Sequence, residues 1–125
     1  MRRPLQLLVG VLVVLLLQVG CGSSATDVDA PSWLEAMIGE ISSEPVSNPP
    51  TEIWRYSYDD AVVYYRPARC CDIPSTLWDA EGTILCHPDG GITGAGDEAC
   101  PDFAAQRSNE HLVWRDPRGG AGASP

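Results

Sequence analysis

The distribution of cysteines constrains the fold of this chain more than any other feature. The chain has 125 residues and five cysteines, four of which lie close together, at positions 70, 71, 86 and 100. The fifth, Cys21, stands alone at the end of an apolar leader. Small exported domains are often rich in disulfides, because their hydrophobic cores contribute little stability. We therefore predict a small exported domain that is stabilised by two disulfides among Cys70, Cys71, Cys86 and Cys100.

The adjacency of Cys70 and Cys71 limits how these cysteines can pair. Neighbouring Cα atoms lie about 3.8 Å apart, below the roughly 4.4 Å at which ordinary disulfides begin. Each is therefore expected to pair with Cys86 or Cys100. Two connectivities stay open, Cys70–Cys86 with Cys71–Cys100 and Cys70–Cys100 with Cys71–Cys86. Each bridge is expected to add about 3 kcal/mol to the free energy of unfolding.

The spacing of the four cysteines disfavours a metal or redox site. Zinc sites usually contain C-x₂₋₄-C pairs, which adjacent cysteines do not supply. A redox site needs an exposed thiol of low pKa, and the sequence has no C-x-x-C motif. We predict no metal and no cofactor. A strained Cys70–Cys71 bridge that acts as a redox switch is the alternative.

Residues 1–20 have the parts of a secretory signal peptide. Two arginines follow the first Met, residues 7–17 form an apolar run, and a glycine precedes Cys21. The run fits the about 7–15 apolar residues of a signal peptide and is shorter than the about 20 that span a bilayer. A cysteine directly after the cleavage site resembles a bacterial lipobox, which implies that Cys21 is acylated, with palmitate among its acyl chains. A signal peptide with an incidental cysteine is the alternative.

The residues that follow the leader predict an anchored, acidic envelope protein. Gly22 stands where lipoproteins of the inner membrane typically carry Asp, so the resemblance favours the outer membrane, on its periplasmic or surface face. Residues 21–31 are small and polar, which predicts a lipidated cysteine and a flexible tether. The remaining six basic and 17 acidic residues give a formal net charge of −11. This charge excludes nucleic-acid partners and leaves the acyl anchor as the contact with the bilayer.

The segment 32–116 is predicted to form one α+β domain. Ser32 and Glu35 have the spacing of a capping box at the start of an amphipathic helix. Apolar residues then recur at helical spacing, namely Trp33, Leu34, Met37, Ile38 and Ile41. Prolines at positions 45, 49 and 50 end the helix. Residues 117–125 form a Gly-rich tail that is predicted to be disordered.

Strands are predicted after this N-terminal helix. Residues 52–58 and 61–66 are rich in β-formers and flank a turn at Asp59-Asp60. Shorter strands are predicted at 83–86 and 111–115. The predicted fold is therefore one helix packed on an antiparallel sheet of three or four strands. Tyr56, Tyr58 and Tyr64 are candidates for an exposed binding surface, and ordinary cross-strand pairs are the alternative.

The glycine-rich segment 88–97 is the second candidate site. Its sequence PDGGITGAGD permits positive φ angles and close approach of the backbone. Asp89 and Asp97, together with carbonyl oxygens, could bind Ca²⁺. The segment matches neither a phosphate-binding loop nor an EF-hand. Turns held by the flanking disulfides are therefore the favoured interpretation.

Three motifs carry a resemblance to a known family. CCD at 70–72, PDGGITGAGD at 88–97 and CPDF at 100–103 are similar to the motifs of an uncharacterised family of small bacterial lipoproteins. The resemblance covers about residues 33–116, and the family is a domain of unknown function. It implies the helix, the tyrosine-rich hairpin and the disulfides, and it supplies no catalytic residues.

The sequence predicts no enzyme. The candidate nucleophiles are Ser75, Thr76 and Thr93, and the two histidines are His87 and His111. A catalytic set is defined by geometry, and two histidines in a chain of this length do not by themselves indicate one. We predict a non-catalytic binding or structural module that contacts a protein or glycan partner. The alternatives are a Ca²⁺-binding envelope module and a periplasmic or surface protease inhibitor, the latter from a cystatin-like order of helix and strands.

Overall fold

A computed structural model of the chain describes residues 30–70 and 72–120. Its elements are α1 (Ser32–Ser43), β1 (Glu52–Tyr58), β2 (Ala61–Arg66), β3 (Thr76–Asp79), β4 (Ile84–Cys86), α2 (Phe103–Gln106), β5 (Ser108–Arg115) and a closing 3-10 helix (Pro117–Gly120). The strands form one antiparallel sheet in the order β4-β3-β2-β1-β5. The predicted α+β class is confirmed, but the sheet has five strands rather than three or four.

Strands β1 and β2 form the hairpin that the sequence predicts. Tyr58 pairs with Ala61 beside the turn. Asp59 and Asp60 have φ angles of 49° and 58°, as the two central residues of a type I′ turn require. The turn thereby determines a register in which alternate side chains point to opposite faces of the sheet.

Strand β3 has no counterpart among the predicted strands. It lies between β2 and β4, and Thr76, Leu77 and Trp78 are all buried. A short strand that is covered on both faces shows no alternation of polar and apolar residues, which is the pattern that identifies a half-buried strand. The sheet therefore contains an interior strand that the periodicity of the sequence does not reveal.

Helix α1 covers one face of the sheet. Leu34 is fully buried in a cluster with Ile53, Tyr64 and Trp78. The helix contributes further half-buried residues to this cluster: Trp33, Met37, Ile38 and Ile41. This apolar face is the one that the helical spacing predicts.

The predicted capping box at the start of α1 does not form. Ser32 is the first helical residue, the N-cap is Pro31, and no side chain caps the helix. The Pro31 carbonyl accepts hydrogen bonds from the amides of Leu34 and Glu35, at 2.8 and 3.1 Å. Because proline holds φ near −65°, Pro31 leads into the helix from an extended conformation, with φ −56° and ψ 146°.

The opposite face of the sheet is covered by the chain between β4 and β5. The Phe103 ring, 1% exposed, lies edge-on to the rings of Tyr56 and Tyr58, with centroid distances of 5.7 and 5.4 Å. Leu77 and Cys86 belong to the same buried cluster. Such edge-to-face pairs add to the stability that area burial provides. Both faces of the sheet are therefore covered.

Both predicted disulfide connectivities are wrong. Cys86 pairs with Cys100, with a Cα–Cα distance of 6.1 Å, whereas each prediction required Cys86 to pair with Cys70 or Cys71. The physical reason is packing: Cys86 at the end of β4 and Cys100 before α2 meet in the cluster around Phe103. Cys70 also takes part in a disulfide, and Cys71 lies outside the described residues.

The first part of the predicted disordered tail is ordered. Residues 117–120 form the closing 3-10 helix. Within it, Arg118 forms a 2.6 Å salt bridge with the buried Asp116 and donates hydrogen bonds to the carbonyls of Glu44 and Ile41, at 2.8 and 3.2 Å. These carbonyls lie at the C-terminal end of α1, where a cation is favoured. Arg118 thus ties the end of the chain to the helix.

The remaining predictions for the termini concern residues 1–29 and 121–125, outside the described part of the chain. They are the signal peptide, the acylated cysteine, most of the tether and the end of the tail, and they stay predictions. Among the described residues, no helix is both long enough and apolar enough to cross a membrane.

Candidate functional site

The glycine-rich segment forms a loop whose shape is set by its own backbone. We refer to residues 87–99, between β4 and Cys100, as the glycine loop. Gly90 donates a hydrogen bond to the carbonyl of Gly94, and Gly96 donates one to that of Gly90, both at 3.0 Å. Asp97 donates to the carbonyl of His87 at 2.9 Å. These bonds fold the loop back on itself between the two ends of the Cys86–Cys100 disulfide.

Two glycines are required where the loop approaches other backbone. Gly90 has φ +79°, and a Cβ there would lie 2.5 Å from the Cβ of Ala68. Gly96 has φ +65°, and a Cβ there would overlap the carbonyl of His87. Only glycine combines this left-handed backbone with the absence of a side chain. The structure thus explains why this segment is rich in glycine.

Asp89 attaches the loop to the sheet. Its carboxylate oxygen Oδ2 accepts a 2.6 Å hydrogen bond from the hydroxyl of Tyr65. Its backbone carbonyl accepts the amide of the fully buried Ser75 at 2.9 Å, and its amide donates to the Ser75 hydroxyl at 3.0 Å. Burial, followed by the hydrogen bond to Asp89, raises the pKa of Tyr65. The hydroxyl therefore stays protonated and serves as the donor.

Asp97 closes the loop at its other end. Its oxygen Oδ1 accepts the amide of Ala99 at 3.0 Å, and Oδ2 accepts the amide of His87 at 2.9 Å. The hydrogen bond from Ala99, and then that from His87, lowers the pKa of the Asp97 carboxyl, because both favour the charged form. This carboxylate therefore has a structural role in the turn.

The two carboxylates predicted as calcium ligands, those of Asp89 and Asp97, take part in the hydrogen bonds of the loop. Both carboxylates accept the internal hydrogen bonds described above. Within the described ranges 30–70 and 72–120, no group of three or more His, Cys, Asp or Glu side chains is arranged to hold a metal ion. Calcium needs six to eight oxygen ligands, so a calcium site in this loop would have to take most of them from backbone carbonyls.

The tip of the glycine loop exposes an isoleucine. The Ile92 side chain is 90% exposed, more than that of any other large apolar residue in the described part of the chain. An open cleft of about 310 Å³ lies beside it, with Asp72, Pro74 and Asp97 among its lining residues. Ile92 is not among the predicted site residues, and its only signal in the sequence is an isoleucine in the middle of a glycine-rich segment.

The three candidate tyrosines do not share an exposed face. Tyr56 and Tyr58 are 4% and 9% exposed and lie under Phe103, while Tyr64, 4% exposed, lies on the opposite face under α1. The expectation of an open tyrosine face is corrected by this burial. The chain between β4 and β5 covers the sheet there, and Arg107 lies over the Tyr56 ring at 4.6 Å.

The buried tyrosine hydroxyls are paired with carboxylates. Tyr56 donates to Glu110 at 2.7 Å, and Tyr58 donates to Asp102 at 2.8 Å. The pKa of Tyr56 is raised to about 12, mainly by burial and secondly by the hydrogen bond to Glu110. The pKa of Tyr58 is also raised to about 12, mainly by the hydrogen bond to Asp102 and secondly by burial. Each of these tyrosine hydroxyls therefore has a carboxylate acceptor at the edge of the core.

The structure does not assemble a nucleophile and base from Ser75 and His87. The Ser75 hydroxyl is bonded to the backbone of Asp89, at 3.0 Å. The Nδ1 atom of His87 lies 2.7 Å from the carbonyl of Ser75 and not from its hydroxyl. A base must contact the nucleophile itself, so this pair has the geometry of a structural contact.

Comparison with known proteins identifies the family of the chain. No curated protein and no solved structure matches it. A family model described as a domain of unknown function, DUF6970, matches residues 39–116. The match runs from within α1 to the end of β5 and covers more than half of the chain, and it confirms the expectation of an uncharacterised family. The chain therefore belongs to the DUF6970 family, a domain of unknown function.

Proposed function

We propose that this protein is a non-catalytic binding module of the bacterial cell envelope that contacts a protein partner through the tip of the glycine loop. The observation that carries the proposal is the 90% exposure of Ile92 on a loop with a determined backbone. The expected partner has a small apolar pocket that receives this side chain. Because Asp72 and Asp97 lie beside the tip, the rim of that pocket is expected to be cationic.

A single exposed apolar side chain is common on protein surfaces. Ile92 differs from most such side chains because the loop that carries it is ordered. Hydrogen bonds of Gly90, Gly94 and Gly96, the attachment of Asp89 to the sheet and the flanking disulfide all restrict the loop. A loop that is already ordered loses little conformational entropy on binding, so its apolar contact contributes more of its free energy to affinity.

The envelope location is proposed from the leader and the cysteines. A signal peptide followed by Cys21 favours export and acylation, with retention at the outer membrane. The disulfide between Cys86 and Cys100 and the bonded state of Cys70 are consistent with an oxidising compartment. We propose that all four downstream cysteines are oxidised, in two disulfides. The intact mass of the protein from its own membranes, alkylated before reduction, tests acylation and oxidation together.

A photo-crosslinking amino acid at position 92 tests the binding proposal. Val46, 43% exposed and far from the loop in sequence, provides the control position. In intact cells, we expect one discrete protein adduct from position 92 and none from position 46. Excess unlabelled protein should compete for the adduct, whereas the Ile92→Asp variant should not. The same adduct from both positions, or none from position 92, would overturn the proposal.

The same loop supports a second candidate, inhibition of a protease. A loop held by a disulfide and by main-chain hydrogen bonds can enter the substrate groove of a protease with little ordering cost. The test is a panel of proteases assayed with micromolar protein and with the Ile92→Asp variant. Inhibition by the wild-type protein alone supports this candidate, and full activity of every protease removes it while leaving the crosslinking result to decide the wider proposal.

A further inference from the structure

Among residues 30–70 and 72–120, two arginines near the end of β2 form no salt bridge. The salt bridges within the described residues join Arg115 to Glu52 and Arg118 to Asp116. Arg66 and Arg69 take part in neither, although the chain is strongly acidic. Glu44 acts on Arg66 through its charge but makes no salt bridge with it.

The environment of this pair leaves positive charge uncompensated. The Nε atom of Arg69 is buried and has no hydrogen-bond acceptor among residues 30–70 and 72–120. Buried hydrogen-bond donors are almost always paired, because an unpaired donor loses its hydrogen bonds to water and gains none within the protein. Burial, and then the charge of Arg69, lowers the pKa of Arg66. Both features favour the binding of an anion next to these side chains.

A cleft is present where such an anion would bind. It has a volume of about 140 Å³, and its lining includes Arg66, Arg69, Pro49 and Pro50. Glu52 also lines the cleft, but its two carboxylate oxygens accept hydrogen bonds from Arg115 and from the Trp54 indole. The carboxylate that could compete for the two arginines is therefore already engaged.

The arginines are held in place by the fold. The guanidinium of Arg66 lies 5.4 Å from the centre of the Trp78 ring, a cation–π contact. The backbone of Arg69 forms an isolated bridge with Ile73. A binding group that is positioned before the ligand arrives loses less conformational entropy on binding.

We propose that the Arg66–Arg69 cleft binds a phosphate group, either free or as an ester. Arginine presents a fork of N–H donors that matches phosphate and carboxylate oxygens. A phosphate carries about −1.5 to −2 charges near neutral pH, which matches two guanidinium groups, whereas a carboxylate carries one. Ile92 is not among the residues that line this cleft, and the inference does not rest on the proposed partner binding.

The test follows the side-chain Nε–H signals of the arginines by NMR in the full-length protein. Inorganic phosphate, glycerol phosphate and acetate are titrated at constant ionic strength. We expect the Arg69 Nε–H signal to shift with phosphate and to saturate at millimolar concentration. Loss of one charge-assisted bond in Arg66→Gln or Arg69→Gln should weaken binding about 10- to 100-fold. The charge-matched control Arg55→Gln lies outside the cleft and should leave binding unchanged.

The probes distinguish the source of the phosphate. Equal binding of both phosphates supports a free ion, and preference for glycerol phosphate supports an ester such as a lipid headgroup. No shift with either, acetate binding as tightly as phosphate, or equal loss in Arg55→Gln would overturn the proposal. Arg69→Lys, which keeps the charge but lacks the Nε–H, should bind more weakly than the wild-type protein if the glutamine variants do not fold.

Discussion

The hydroxyl of Tyr65, on β2, donates a 2.6 Å hydrogen bond to the carboxylate of Asp89 in the glycine loop. This bond joins the sheet to the segment that presents Ile92. Because Tyr65 is 7% exposed, the bond is largely shielded from water. It is therefore one of the contacts by which the core determines the position of a surface loop.

Replacement of Tyr65 by Phe should loosen the loop and lower the stability of the domain. A hydrogen bond to a charged group contributes about 1.5–3 kcal/mol, so the free energy of unfolding should fall by about that amount. Tyr58→Phe removes a similar bond, to Asp102, away from the glycine loop. Hydrogen exchange should become faster at the amides of Gly90 and Gly96 in Tyr65→Phe only. Equal acceleration in both variants would contradict the assigned role.

The disulfide between Cys86 and Cys100 should stabilise the domain by restricting its unfolded state. Its ends are 14 residues apart in sequence, and a loop of this length corresponds to about 3 kcal/mol. The double variant Cys86→Ala, Cys100→Ala should lose about that much in denaturant unfolding. A reductant acts on Cys70 as well, so the reduced wild-type protein should be less stable than the double variant. Equal stability would mean that the disulfide of Cys70 contributes nothing.

Local sequence patterns correctly predicted the secondary-structure elements that are determined by neighbouring residues. The β1–β2 hairpin follows from β-formers on both sides of Asp59-Asp60, and the helix follows from apolar residues at helical spacing. The capping box failed because Pro31 alone sets the entry to α1. The sequence also could not indicate β3, since a strand buried on both faces loses its alternation.

The candidate sites depend on packing that spacing does not encode. Cys86 meets Cys100 because β4 and α2 converge on one cluster, a relation between distant segments. Tyr56 and Tyr58 lie on the face that Phe103 and Arg107 cover, whereas Tyr64 lies on the face that α1 covers. The exposure of Ile92 and the absence of salt bridges to Arg66 and Arg69 within the described residues are tertiary properties, which appear only when the neighbours of each side chain are known.

Two glycines of the loop should respond differently to the same substitution. Gly94 and Gly96 both have positive φ, +78° and +65°, so alanine at either position costs about 1–2 kcal/mol from the backbone. A Cβ on Gly94 meets nothing within 4 Å, whereas one on Gly96 overlaps the carbonyl of His87. Gly96→Ala should therefore lower the midpoint of thermal unfolding clearly more than Gly94→Ala. Equal effects would show that the loop moves to accept the side chain.

The tyrosine–carboxylate pairs predict a loss of stability at alkaline pH. The pKa values of Tyr56 and Tyr58 are raised to about 12, above the value of about 10 in an unfolded chain. Because the folded state holds these protons more tightly, the stabilisation is complete below pH ~10 and is lost as the pH rises towards 12. Unfolding in urea measured across this range should show the decline, and the double variant Tyr56→Phe, Tyr58→Phe should show a smaller slope. Tyrosinate absorbance that rises fully at pH ~10 in the folded protein would refute the shifts.

The two arginine salt bridges near the C-terminus should differ in their contribution to the stability of the domain. Arg115 and Glu52 form an exposed pair, with side chains 56% and 27% exposed, and such pairs contribute about 0–1 kcal/mol. The Asp116 side chain is only 1% exposed, and Arg118 lowers the pKa of its carboxyl. Arg118→Met removes the partner of a buried carboxylate and two hydrogen bonds to the end of α1, so it should lower the unfolding midpoint much more than Arg115→Met. Adding Asp116→Asn to Arg118→Met should recover part of the loss, because the buried charge is gone. If both single variants unfold at the same midpoint, Arg118 does not tie the closing helix to α1.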